Sequence, residues 1–92
     1  MKSLRDPKRR PTASGELLRA DVLPALGMTQ TEFARRLGVS RLSISELLLE
    51  KRSLSPDMAV RIARLTNTTP ASWLSMQAAL DLWDLERSSA DR

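Results

Sequence analysis

Apolar residues recur along the chain at intervals of three and four, in five blocks separated by helix-stop and helix-start residues. The first block holds Leu17, Leu18, Val22 and Leu23. Ser14 is placed to cap it, Glu16 lies near the positive end of its dipole, and Pro24 and Gly27 are placed to end it. The second opens on "TQTE", a capping box in which the Thr29 hydroxyl accepts from the Glu32 amide and the Glu32 carboxylate reaches back. Phe33, Ala34 and Leu37 share one side of this helix, and Gly38 supplies the positive φ of a sharp turn. Ser40 caps a third helix, with Ile44, Leu47 and Leu48 facing inward. Ser55 followed by Pro56 and Asp57 starts a fourth, which buries Met58 or Ala59, Ile62, Ala63 and Leu65 and ends near Asn67. Thr69-Pro70 repeats the start signal for a fifth, "PASWLSMQAALDLWDLE". No stretch alternates with the period of a strand, so the pattern predicts an all-α domain of five helices.

The second and third helices carry the functional reading. Counting from Gln30, a small residue follows at Ala34, a glycine at Gly38, and branched apolar residues at Ile44 and Leu47. Ala34 lets two helices approach, Gly38 makes the turn, and Ile44 and Leu47 wedge the third helix against the rest. This is helix-turn-helix spacing, which leaves the third helix free to enter a DNA major groove. At about 100° per residue, with Ile44 pointing in, Leu42, Ser45, Glu46 and Leu49 point out, and Arg41 and Ser43 lie on the flanks. Leu42 suits a thymine methyl, Glu46 a cytosine amino group, and Arg41 a bidentate contact to guanine. Gln30 and Ser40 stand at helix N-termini, where amides and short polar side chains meet phosphates, and Lys51 and Arg52 follow as backbone clamps. Exposed Leu42 and Leu49 also suit a protein interface, and a serine-rich helix face suits plain solvation.

Composition narrows the chemistry. The 92 residues include no cysteine, histidine or tyrosine, which excludes zinc fingers, disulfides, thiol chemistry and imidazole acid–base catalysis. Nothing resembles a nucleophile, base and oxyanion donor held together, so no enzyme, cofactor, metal site or small-molecule substrate is expected. No apolar run has the length of a signal peptide or membrane span, which places the chain in the cytoplasm. The net charge of +4 is uneven: residues 1–11 hold Lys2, Arg5, Lys8, Arg9 and Arg10 against Asp6, and everything after Pro11 sums to zero. The expected organisation is a basic arm over residues 1–12, a helical domain over 13–86 and a polar tail over 87–92. Such an arm suits either phosphate tracking or solubility. Residues 35–52 add a local excess of three positive charges.

From Pro11 to about Leu85, "PTASGELLRADVLPALGMTQTEFARRLGVS", "SISELL", "KRSLSPDMAVRIARL" and "TPASWLSMQAALDLW" resemble the HigA-type antitoxins of bacterial type II toxin-antitoxin modules. Their fold is the Xre/Cro-like (lambda repressor-like) helix-turn-helix. The Trp-Leu-x-x-Gln stretch at Trp73, Leu74 and Gln77 is the most telling piece. The resemblance implies a homodimer that binds an operator in its own promoter, an inverted repeat of double-stranded DNA, and a small HigB/RelE-like toxin that cleaves mRNA. Carried over by position, the DNA contacts are Gln30, Ser40, Arg41, Leu42, Ser43, Ser45, Glu46, Lys51 and Arg52. Two departures stand out: "ASGE" replaces the usual His-Pro-Gly-Glu, and "LLLEKR" stands where many members have Asn-Gly-Lys-Arg, leaving the end of helix three without its glycine.

Helix five argues separately for self-association. Trp73, Met76, Leu80 and Trp83 cluster on one side, and Leu74, Ala78, Leu82 and Leu85 on another. One core needs one stripe, so the second predicts a dimer interface, in which two-fold symmetry sets two recognition helices about one DNA turn apart. The alternative is a small domain that wraps both stripes itself. At the level of function, a stand-alone regulator without a toxin and a pure protein-interaction module remain beside the antitoxin reading.

Overall fold

The structure, a computed structural model, describes residues 9–90. Lys2, Arg5, Asp6 and Lys8 of the basic arm, and the last two residues of the polar tail, lie outside the described residues. Five helices and no strand occur among those described. Helix α1 consists of Ser14–Leu17, a π-helical turn over Leu18–Val22, and Leu23–Leu26. It is followed by α2 (Gln30–Leu37), α3 (Arg41–Leu48), α4 (Pro56–Thr66) and α5 (Pro70–Ala90). α2 packs on α3 and α4, α5 runs along α4, and α1 closes the bundle against α3 and α5.

Phe33, Leu18, Ile44, Leu48 and Ile62 are the large side chains fully removed from water, one or two from each of α1 to α4. Trp73 of α5 completes the core, and its Nε1 donates to the Thr68 hydroxyl at 2.7 Å, so the indole is buried without stranding its N–H. Gln77 ties α5 to the α3–α4 loop, its carbonyl oxygen accepting from the Leu54 amide at 2.9 Å. The Trp-Leu-x-x-Gln stretch is thus structural: it holds α5 and that loop in place.

Local capping chemistry accounts for most element ends. Ser55 accepts from the Met58 amide at 3.1 Å with Pro56 next to it, Asn67 closes α4 in the left-handed region at φ 56°, and Thr69 accepts from the Ser72 amide at 3.2 Å. Three expectations are corrected. Ser14 does not cap α1: the cap is Ala13, whose carbonyl accepts from Leu17, and Ser14 lies buried inside the first turn. Pro24 does not end α1. The π turn just before it lets the Leu23 amide reach back five residues to the Leu18 carbonyl, the helix accommodates the ring, and Gly27 at φ 65° makes the stop. The Glu32 carboxylate does not reach back in the capping box, because Arg35 and Arg36 hold it at 2.6 and 2.7 Å; only the Thr29 half forms.

α5 runs four residues past position 86. Trp73 and Leu80 face the core, Leu74 is half-buried against it, and Ala78, Leu82 and Leu85 are exposed, the two leucines by 59 % and 64 %. No described helix is long and apolar enough to cross a membrane.

Candidate nucleic-acid interface

The α2–turn–α3 unit is built around one glycine and fixed from outside. Gly38 takes φ 74°, a conformation that side chains rarely adopt, and the Val39 amide returns to the Ala34 carbonyl at 3.0 Å. Arg61 of α4 then donates from Nη1 to the Leu37 carbonyl at 2.8 Å, closing the C-terminal end of α2. Its Nε is meanwhile held by Asp57 at 2.9 Å. Ser40 starts α3, accepting from the Ser43 amide at 3.1 Å.

Burial of Ile44, Leu47 and Leu48 sets the rotation of α3. Leu42 and Leu49 are consequently 67 % and 56 % exposed, and Arg41 is exposed beside Leu42. Ser43, Ser45 and Glu46 are half-buried on the same helix. Of the nine positions with an expected DNA role, four are joined in one network. Arg52 donates to Glu46 at 2.9 Å and to the Ser43 hydroxyl at 3.3 Å, and Ser43 and Ser40 share a hydroxyl contact of 2.9 Å. Gln30 is half-buried in the first turn of α2, apart from that network, and Lys51 is exposed after α3.

The charges sort into spent and unspent. Arg35 and Arg36 share Glu32, and their hydrogen bonds, Arg35 foremost, hold its carboxyl at a pKa of about 2, well below the ordinary value. Arg10 bonds Asp84 and Glu50, and these contacts raise its pKa further above the arginine norm. Arg41 and Lys51 enter no ion pair among the described residues.

The end of α3 replaces its missing glycine by other means. Glu50 itself occupies the left-handed region at φ 60°, with its amide on the Leu47 carbonyl at 3.1 Å and the Lys51 amide on the Glu46 carbonyl at 2.8 Å. Arg19 of α1 donates to the Leu48 carbonyl at 2.6 Å. α1 comes this close because Gly15 has no side chain: a Cβ there would sit 2.1 Å from the Leu47 carbonyl oxygen. Sequence reasoning passed over Gly15, Arg19 and Arg61. The available signal was a glycine inside a helical pattern with arginine four residues on, since such a glycine is costly unless another backbone comes near it.

A helix-turn-helix family profile (HTH_3) matches residues 18–74. An uncharacterized HTH-type transcriptional regulator of Escherichia coli (strain K12), YbaQ, is 40 % identical over 80 residues, 87 % of this chain and 71 % of that protein. Antitoxin HigA-1 of Vibrio cholerae is 37 % identical over 81 residues, 88 % of this chain and 76 % of its own. Among solved structures, antitoxin GraA superposes with a TM-score of 0.85 at 36 % identity, covering 90 % of this chain and 89 % of that one. In complex with its operator, GraA gives 0.83 at 35 %, covering 97 % and 89 %. These similarities are to regulators and antitoxins, not to enzymes.

Proposed function

We propose a function on the premise that this chain belongs to the Xre-like helix-turn-helix family, among the HigA-type antitoxins: as a cytoplasmic homodimer it binds operator DNA in its own promoter through α3 and neutralises a HigB/RelE-like toxin by direct binding. The observation that carries the DNA reading is the outer face of α3, where Arg41 and Leu42 stand exposed and unspent on a helix fixed at both ends, with Lys51 and Arg52 directly after it. Arg41 reads guanine and Leu42 a thymine methyl, flanked by Gln30, Ser40, Ser43 and Ser45. In the free chain Arg52 neutralises Glu46; on DNA a phosphate competes for Arg52 and frees Glu46 for a cytosine amino group. The proposed domain spans 13–86 with the basic arm before it, and α5 carries on from it through Ala90 into the polar tail. Ala78, Leu82 and Leu85, with Leu74 at the edge, form the dimer contact, since exposed apolar residues four and three positions apart make a stripe that no other part of the described chain covers.

The similarity to YbaQ favours a second reading, a transcriptional regulator without a toxin. Binding to promoter DNA, measured by fluorescence anisotropy, tests what both share. Arg41→Ala is expected to weaken it by about 1–3 kcal/mol, about ten- to a hundredfold, and to relax base preference at one position. Unchanged affinity and selectivity remove Arg41 from the reading surface. Relief of growth arrest caused by the adjacent small reading frame separates antitoxin from stand-alone regulator.

A further inference from the structure

Two features of the surface are complementary to each other. The first is the α5 stripe, where Leu82, Leu85 and Glu86 fall at i, i+3 and i+4 and so share one exposed face, with Asp81 along its edge. The second is an open groove of about 640 Å³ between α2 and α4. Leu37, Val60 and Leu65 give this groove apolar wall, and Arg36, Arg61 and Arg64 line it with guanidinium groups. In the groove Arg61 is paired with Asp57, and Arg36 shares Glu32 with Arg35, but Arg64 enters no ion pair among the described residues. On α5, Asp84 is held by Arg10 and Asp81 accepts from Gln77, whereas Glu86 likewise enters no ion pair among the described residues. Its neighbour Arg87 lies over the Trp83 ring at 4.4 Å.

We infer that the groove between α2 and α4 is the seat of a second copy's α5 stripe, with Leu82 and Leu85 against Val60 and Leu65 and the Glu86 carboxylate on the Arg64 guanidinium. The inference rests on the dimer reading above and names the surface that the stripe meets. A two-fold axis makes the contact reciprocal: each chain offers its stripe and receives its partner's, so two equal junctions form at once. Pairing stripe with stripe serves less well on two counts. It brings Asp81 and Glu86 of both copies along one seam, like charge facing like. One alanine and two leucines per chain also supply little of the roughly 800 Å² that each partner buries in a stable interface. The reciprocal arrangement covers the stripe and the groove of both copies, sets acid against arginine, and uses no residue of the outer face of α3.

The test is a charge exchange in the full-length chain, followed by sedimentation velocity at low salt. Arg64→Glu alone puts two acids together at both junctions, and Glu86→Arg alone puts two arginines together. Each is expected to raise the dimer dissociation constant about tenfold or more. In a 1:1 mixture of the two variants, a mixed dimer has unlike charges at both junctions, one native and one exchanged. Its dissociation constant should return to within about threefold of the unaltered value, and a single chain carrying both replacements should recover likewise. Circular dichroism checks that each variant is folded, and Arg64→Asp with Glu86→Lys gives the same exchange with other side chains where one is not. Self-association unaltered by Arg64→Glu overturns the seating, leaving α5 to pair with itself and the groove to a different partner. Two weakened variants that do not recover on mixing overturn the pairing of Arg64 with Glu86. An unaltered chain that stays monomeric at every concentration refutes the dimer reading itself.

Discussion

Gly15→Ala adds one methyl group and should destabilise the domain strongly. In an isolated helix the change is favourable, by about 1 kcal/mol. Here the new Cβ lies 2.1 Å from the Leu47 carbonyl oxygen, 3.1 Å from the Leu47 carbonyl carbon and 3.2 Å from the Leu48 Cα. All three are backbone atoms that no rotamer change can move aside. To restore an ordinary contact, α1 and α3 must part by roughly 1 Å. Overpacking of this kind costs about 1–3 kcal/mol. The same displacement stretches the 2.6 Å bond from Arg19 to the Leu48 carbonyl past hydrogen-bonding length, which costs about 1.5–3 kcal/mol more. The net loss is about 2–5 kcal/mol, which for a domain of this size lowers the Tm by about 10–30 °C. Thermal unfolding followed by circular dichroism, with urea unfolding as a second measure, checks it. A Tm equal to or above that of the unaltered protein refutes the close-approach argument, because helix propensity would then be the only effect at work.

Glu50→Gly should act in the opposite direction, raising stability by about 1 kcal/mol as a non-glycine residue leaves the left-handed region, since the exposed ion pair to Arg10 that it removes contributes little; a fall in the urea midpoint counts against this. For Glu32 the sign follows from its depressed pKa: the paired carboxylate stabilises the fold above its ordinary value of 4.5, and that contribution fades as pH falls toward about 2. The Tm difference between the unaltered chain and Glu32→Gln should therefore be largest near neutral pH, shrink through that window and shrink also with added salt. A difference independent of pH assigns the residue a role other than its ion pairs.

What the amino-acid pattern revealed divides by sequence distance. The caps at Thr29, Ser40 and Ser55, the turn at Gly38 and the left-handed Asn67 all involve groups within a few residues of one another, and each was readable from spacing. So was the inward face of α3, because Ile44, Leu47 and Leu48 fix a rotation that leaves Leu42 and Leu49 outside. Ser14 was misread because the approach of α1 to α3 draws it inside, and Pro24 because a π turn is a rearrangement that no propensity encodes. The Glu32 carboxylate had two competing uses within four residues, and spacing alone does not rank them. The network of Ser40, Ser43, Glu46 and Arg52 depends on how the loop after α3 folds back, and that loop is shaped by Glu50 standing in for glycine.

Arg61 and Arg19 close the C-terminal ends of α2 and α3 across 24 and 29 residues of chain. Neither bond exists until α4 and α1 are docked, so the local turns at Gly38 and Glu50 leave the Leu37 and Leu48 carbonyls to be satisfied from elsewhere in the fold. An excised fragment spanning only those helices should be largely unstructured, and their amide hydrogens should exchange through opening of the whole domain rather than by local fraying. The surface proposed to read DNA is in this sense a cooperative property of all the helices around it, lost and regained in a single step.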